Sequence, residues 1–346
     1  MNESGKIHYR SKVVALLITL VCLCSCSKRL IFEGEGDCGV YYHIRFKYDY
    51  NMKFADAFAN EVNSVELYVF DDNNILVDKV KVDDKESLSS GTFEIKLEPK
   101  AGDYQLLALG GMSDETSFDL LPETKLGETT LEEMQVRMHR EYDYNGNAFI
   151  ENDLLPLFHG TLPLNVTAEE GTYTETISLT KNTNVIRIML QEMVDEEIDA
   201  DKFIFEITDQ SGLYAYDNTR LEDETITFKP WSITTGTADI DDPNDGKGKK
   251  SSVAVALAEH TIGRMVPEQS PILTIKNRES GEAILTLPIA DYALLTKGFY
   301  NQGMSDQEFL DRQDEYTLAF FLYGGEWLSS MIYINSWQVI INDEDL

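Results

Sequence analysis

Residues 39–50, GVYYHIRFKYDY, decide how this chain is read. Val40, Tyr42, Ile44, Phe46 and Tyr48 fall on one side of a two-residue repeat, and Tyr41, His43, Arg45, Lys47 and Asp49 on the other. Successive side chains of an extended strand point to opposite faces, so this alternation predicts a strand with one face in a core and one in water. Other β-favouring runs lie outward from it. Residues 64–70 (SVELYVF) and 75–82 flank the polar turn Asp71-Asp72-Asn73-Asn74 and predict a hairpin. Residues 92–97 alternate Phe93, Ile95 and Leu97 with Glu94 and Lys96, and 103–109 follow the turn signal Pro99-Lys100-Ala101-Gly102. Strand patterns resume at 156–164, 173–179 and 184–190.

Past the acidic stretch 195–201 (DEEIDAD) the plan repeats weakly. Residues 202–208 (KFIFEIT), the turn Asp209-Gln210-Ser211-Gly212 and residues 213–216 echo the hairpin at 64–82. Further strands are predicted at 252–258, 272–276, 283–289, 316–323 and 331–341. Only two helix starts stand out, Thr130 with Glu133 and Ser305 with Glu308, each fitting a capping box and predicting a helix of two or three turns. Without long crossover helices a parallel α/β sheet is excluded. The expectation is an all-β chain of two tandem antiparallel β-sandwich domains with short helices, 39–182 and 183–346, the boundary falling near 181–184.

A chain of 346 residues is long enough for two such domains, and 42% apolar against 26% charged residues is a globular balance. Sixty-one Asp and Glu against 29 Lys and Arg give a net charge of -32. Such a surface repels phosphate backbones, which excludes nucleic acid as a partner, and it would leave anionic lipid unless held covalently.

The N-terminus supplies a covalent hold. Lys6, Arg10 and Lys12 precede or open onto the apolar run 13–23 (VVALLITLVCL), the pattern of a signal peptide over residues 1–25. The run is far short of the roughly 20 apolar residues a spanning helix needs. Leu23-Cys24-Ser25-Cys26 resembles the bacterial lipobox, placing cleavage between Ser25 and Cys26 and lipid on Cys26. Cys24 is the poorer choice, because Leu23 would stand where that peptidase meets a small residue. Acyl chains contribute about 0.8 kcal/mol per buried CH2, so several together anchor firmly. Residues 26–38 then form a lipidated tether, and Cys38 is left without an intramolecular disulfide partner.

Catalytic signatures are absent: there is no GxGxxG, P-loop, GxSxG or HExxH, and His43, His139, His159 and His260 are widely separated. No enzymatic activity, cofactor or metal is expected. The loop 238–250 (ADIDDPNDGKGKK) concentrates Asp239, Asp241, Asp242, Asn244 and Asp245, but an EF-hand begun at Asp239 would meet Pro243 at its fifth position and Asn244 where glycine is required. A solvated hairpin loop is the favoured reading and an ion site the second. The sequon Asn165-Val166-Thr167 carries no weight in a bacterial lipoprotein. Seventeen Tyr, 16 Phe and three Trp keep a sugar-stacking surface open as an alternative.

Cys26, the second cysteine at 38, Tyr48-Asp49-Tyr50-Asn51-Met52, Phe54-Ala55-Asp56-Ala57-Phe58 and Val65-Glu66-Leu67-Tyr68-Val69-Phe70-Asp71 together resemble the FimB-type fimbrial anchor family, the minor fimbrial subunits of Bacteroidales type V pili. Gly102-Asp103-Tyr104 and Gly110-Gly111 extend the resemblance, whereas Lys28-Arg29 in the tether depart from many members. The resemblance implies two transthyretin-like sandwiches, a fatty-acyl (palmitate) anchor in the outer membrane, fimbrillin subunits as partners, service at the base of a fimbrium, and no enzymatic activity.

Assembly in that family is by strand complementation, in which a neighbour's strand completes a sandwich that lacks one. Stalk subunits of the family open this groove when an Arg-specific protease removes their first strand. Here Arg45 lies inside the first strand and the next arginine is Arg137, so the strand is expected to stay and the groove to remain closed, which would limit fimbrial length. The terminal run 331–341 (MIYINSWQVII), with Trp337, Val339 and Ile341, is either a donor strand or the last core strand. A tip or stalk subunit, and a surface glycan-binding lipoprotein, are the alternative functions.

Overall fold

The alternation at 39–50 forms the strand Val40–Lys47, and Tyr42, Ile44, Phe46 and the following Tyr48 are buried. In a computed structural model, the structure describes residues 39–113, 115–167, 169–194, 197–241, 250–298, 301–324, 326–335 and 337–339. The signal peptide, the cleavage site at Ser25, the lipid cysteine Cys26, the tether, Ile341 and residues 242–249 of the acidic loop lie outside the described residues.

Val40–Lys47 is the middle strand of a three-stranded sheet, between Gly171–Ser178 and Glu94–Leu97. This sheet packs on a five-stranded one ordered Thr180–Lys181, Phe158–Val166, Gly102–Gly110, Val65–Phe70, Leu76–Val82. Tyr42, Ile44, Phe46, Ile95 and Ile177 meet Leu67, Val69, Leu106, Ala108 and Phe158 in the smaller of two buried clusters. The opposite face of the five-stranded sheet is covered as well: Tyr68, Phe70, Leu107 and Leu109 pack with Met112, Phe118, Leu131, Met134 and Val136 in the larger cluster. Val65–Phe70 is therefore buried at all six positions.

The larger cluster continues between two six-stranded sheets. One runs Ser232–Asp241, Lys250–Gly263, Thr183–Glu192, Glu315–Tyr323, Glu326–Ile334, Trp337–Val339. The other runs Ala283–Pro288, Ile272–Asn277, Phe203–Asp209, Ile226–Phe228, Ala148–Ile150, Glu141–Tyr142. Ile186, Ile188, Leu190, Leu318 and Phe320 meet Phe205, Ile207, Phe228, Leu273 and Ile275 between them. Two strands of this second sheet come from 141–150, so the first half of the chain contributes to the core of the second. The architecture is all-β with several sheets and few short helices.

Four local expectations are corrected. The sheets are not purely antiparallel: Val40–Lys47 runs parallel to Gly171–Ser178, Thr183–Glu192 to Glu315–Tyr323, and Ile226–Phe228 to Ala148–Ile150. These partners are far apart in sequence, and the long connections between them include strands of other sheets. The hairpin expected over 202–216 does not form, because Leu213–Ala215 pairs with Gln135–Met138 while Phe203–Asp209 pairs with Ile226–Phe228 and Ile272–Asn277. Tyr214 sends its hydroxyl to accept the Arg264 N–H at 2.9 Å, which draws that segment across the fold. The run 331–341 is two strands rather than one, broken at Asn335 with φ 47°. The Asn335 side chain accepts from the Thr317 N–H at 2.8 Å, which holds the turn. Thr130 and Glu133 do form a capping box, but on a single 3-10 turn, Leu131–Glu133, whereas Ser305 caps the two-turn helix Asp306–Arg312.

Candidate functional site

The first strand is closed on both edges. Residues 40–47 pair in register with 171–178, and Tyr42–Arg45 with Glu94–Leu97. Inside, the Tyr42 ring stacks on Tyr173 at 5.0 Å and Phe46 on Phe58 at 5.9 Å. Outside, Glu94 accepts from His43 Nδ1 at 2.7 Å and Arg45 Nε at 3.4 Å. The Arg45 side chain is in water, but its backbone is held in the sheet.

The other end of the strand leads into the segment that carries the family-like residues 48–58, and its role is junctional. Asn51 Nδ2 donates to the carbonyls of Tyr48 at 2.9 Å and Ala55 at 2.8 Å, while Asp56 Oδ1 accepts from the N–H groups of Tyr48 and Phe58, each at 2.9 Å. The loop so formed grips the end of the helix Asp306–Arg312 from the other half of the chain. Arg312 Nη1 donates to the carbonyl of Asp49 at 3.1 Å, its guanidinium lies 4.3 Å from the Tyr50 ring centroid and 4.7 Å from that of Phe54, and its carbonyl accepts from Met52 N–H at 3.0 Å. A cation between two ring faces uses the aromatic quadrupoles, and the carbonyls complete its fork.

Two further polar contacts cross the same junction, and a third lies beside it within the second half. Lys181 Nζ bridges Asp314 at 2.7 Å and Glu61 at 3.3 Å; burial works against its charge, but the two carboxylates outweigh that and hold it above the ordinary lysine value. Asn182 and Asn218 exchange side-chain hydrogen bonds at 2.6 and 3.0 Å. Arg264 meets Asp311 through two parallel bonds at 2.6 and 2.7 Å and donates to the Asn218 carbonyl at 3.0 Å. Such a network, satisfied group by group, fixes orientation better than apolar contact alone.

At the far side, Trp337–Val339 is the outermost strand of its sheet, paired among the described residues only with Ile332–Ile334. Trp337 is 61% exposed. The strands Ser232–Asp241 and Lys250–Gly263 flank the acidic loop as the expected hairpin. Sequence reasoning placed Arg45 and Trp337 in their strands but missed Lys181, Arg264 and Arg312. Only the Glu308–Arg312 spacing, a 2.8 Å pair on one helix face, was available as a signal, and their other partners lie far away in sequence. Among the described residues, no group of His, Cys, Asp and Glu is placed to hold a metal ion, and no helix is long and apolar enough to cross a membrane.

Residues 35–343 match the family described as fimbrillin-A associated anchor proteins Mfa1 and Mfa2. The minor fimbrium anchoring subunit Mfa2 of Porphyromonas gingivalis is 23% identical over 227 residues, a match spanning 63% of this chain and 66% of that protein. A candidate adhesin of Bacteroides thetaiotaomicron has a crystal structure 34% identical, with a TM-score of 0.76 over 89% of this chain and all of that one. A candidate polysaccharide-binding protein of the same organism is 29% identical with a TM-score of 0.74 over the same shares. The solved fimbrial anchor Mfa2 of P. gingivalis shares the fold at 16% identity, with a TM-score of 0.64 over 88% of this chain and 99% of that one. These relatives are adhesins, binding proteins and anchors rather than enzymes, in line with the absence of catalytic motifs.

Proposed function

The chain belongs to the family of fimbrillin-A associated anchor proteins, and from that premise we propose that it is a minor fimbrial subunit that attaches a fimbrium to the outer membrane through lipid on Cys26 and limits its length. The observation that carries the reading is the first strand, paired along both edges and stacked on the core beneath. A subunit whose first strand stays in place offers no vacant groove on that side, so growth by strand complementation stops there. The fold is read as two tandem transthyretin-like sandwiches divided at 182/183, with 118–157 shared across the junction.

The molecule has a direction. Thr183–Glu192 starts at the junction and runs away from it, and Trp337–Val339, whose outer edge is unpaired among the described residues, runs the same way. We place the fimbrillin contact at that edge, along Trp337–Val339. The junction contacts of Arg312, Lys181 and Asn182 would transmit a pull on the fibre to the tether without hinging.

The test is electron microscopy of cells lacking the gene, with the medium probed for fibres. Long or shed fimbriae are expected, and complementation with Cys26→Ala should leave them shed. Normal attached fibres in either strain would overturn the reading, and complete loss of fibres would favour an initiating or stalk role.

A further inference from the structure

Apart from the junction and from both sheet edges, an open cleft of about 450 Å³ is lined by Asp119, Arg137, His139, Tyr142, Asp223 and Glu224. Its floor is Arg140, buried, whose Nη1 meets Asp223 at 2.9 Å and Glu224 at 3.0 Å and whose Nη2 donates to the Gly212 carbonyl at 3.1 Å. On one wall Asp119 accepts from His139 Nε2 at 2.8 Å and Arg137 Nη2 at 3.2 Å. At the rim stands Tyr142, its hydroxyl donating to Glu224 at 2.8 Å while the residue remains 58% exposed.

The rim is held in place. Tyr142 ends the strand Glu141–Tyr142, and the turn after it is locked by Asp143, which accepts from the N–H groups of Asn145 at 2.8 Å and Asn147 at 2.9 Å and from Asn147 Nδ2 at 2.9 Å. Tyr144 on that turn is 96% exposed. An aromatic ring fixed by its hydroxyl yet left in water has lost rotamer freedom without gaining burial, which is what a preformed stacking platform requires.

We infer that this cleft binds a neutral oligosaccharide, with the Tyr142 ring stacking on a pyranose face and Asp119, Arg137, His139 and Glu224 hydrogen-bonding its hydroxyls. Fixed donors and acceptors side by side match vicinal hydroxyl groups, and apart from Met138 the cleft has no apolar lining to take a hydrophobic side chain. Its arginines are already paired with carboxylates, and the chain carries a net charge of -32, so a polyanionic glycan is excluded. The inference stands independently of the anchoring role.

The test is affinity electrophoresis of the full chain in detergent, through gels containing mannan, dextran or hydroxyethylcellulose, with heparin as the acidic control. Retardation is expected in at least one neutral gel and not in heparin. Tyr142→Ala should weaken it about tenfold or more, with Tyr142→Phe in between, because the latter keeps the ring and loses the bond to Glu224. Asp119→Asn is the second variant should Tyr142→Ala fail to fold, and it too should weaken retardation. Migration unchanged in all three neutral gels, retardation by heparin alone, or equal retardation of the original chain and the folded variants would each overturn the inference.

Discussion

Arg264 and Asp311 show what a single side-chain pair does beside the junction. Asp311 is buried and Arg264 half-buried, the two are joined by two short bonds, and Asp311 also accepts from Gln307 Nε2 at 2.8 Å. Removing one partner strands a buried charge, so Arg264→Met should destabilise the protein by about 3–5 kcal/mol, whereas Arg264→Met with Asp311→Leu should recover most of that loss. Denaturant midpoints of the two variants check this, and equal midpoints would contradict it. The solvent-exposed pair Lys125–Glu128 offers the contrast, since its removal should change stability by less than about 1 kcal/mol. Neither Arg264 nor Asp311 stood out in the sequence, because an ion pair between residues 47 positions apart has no local signature.

Among the elements, Val40–Lys47 was the most legible and the most consequential. Its alternation reports a strand with one buried face, and Tyr42, Ile44 and Phe46 are indeed inside. The neighbouring Val65–Phe70 is covered by a layer on each face, so all six residues are buried. Glu66, on that strand, lies between the ammonium groups of Lys79 at 3.5 Å and Lys81 at 3.4 Å, a solution that periodicity does not reveal. The double pairing of the first strand predicts protection of the bond after Arg45. A protease needs several residues drawn out of the sheet, and opening of a central strand approaches global unfolding. Limited digestion with an Arg-specific protease, followed by mass spectrometry, should show no cleavage after Arg45 in the native protein and cleavage there in urea. Rapid native cleavage at that bond would mean that the groove opens.

At the scale of the whole molecule, two buried histidines make stability depend on pH. Burial depresses His159, at the junction, and His260, in the larger core, from 6.5 to about 4. Above pH 6.5 neither state takes up these protons. Between about 6.5 and 4 only the unfolded chain does, so stability falls as pH falls through that window, by up to roughly 3 kcal/mol for each histidine. Below about 4 the folded state protonates too and this loss levels off. Melting temperatures measured from pH 7.5 to 4 should therefore decline, and His260→Leu should reduce the decline. A profile flat across that range, or unchanged by the substitution, would contradict the assignment.

The sequence by itself determined the class of fold, the alternating strands, the chain reversals at 71–74 and 99–102, the acidic surface and the family resemblance. These are local or additive properties: a period of two reports that a residue faces a core, turn chemistry reports where the chain reverses, and charge simply sums. Tertiary structure alone decided which strands pair, that three of those pairs are parallel, that 141–150 joins the second core, and that Arg312 is clasped by Tyr50 and Phe54. The physical reason is that alternation names a face without naming a partner. Partners are chosen by burial and hydrogen-bond satisfaction across the entire chain, and Arg312 reaches Asp49 across 263 positions.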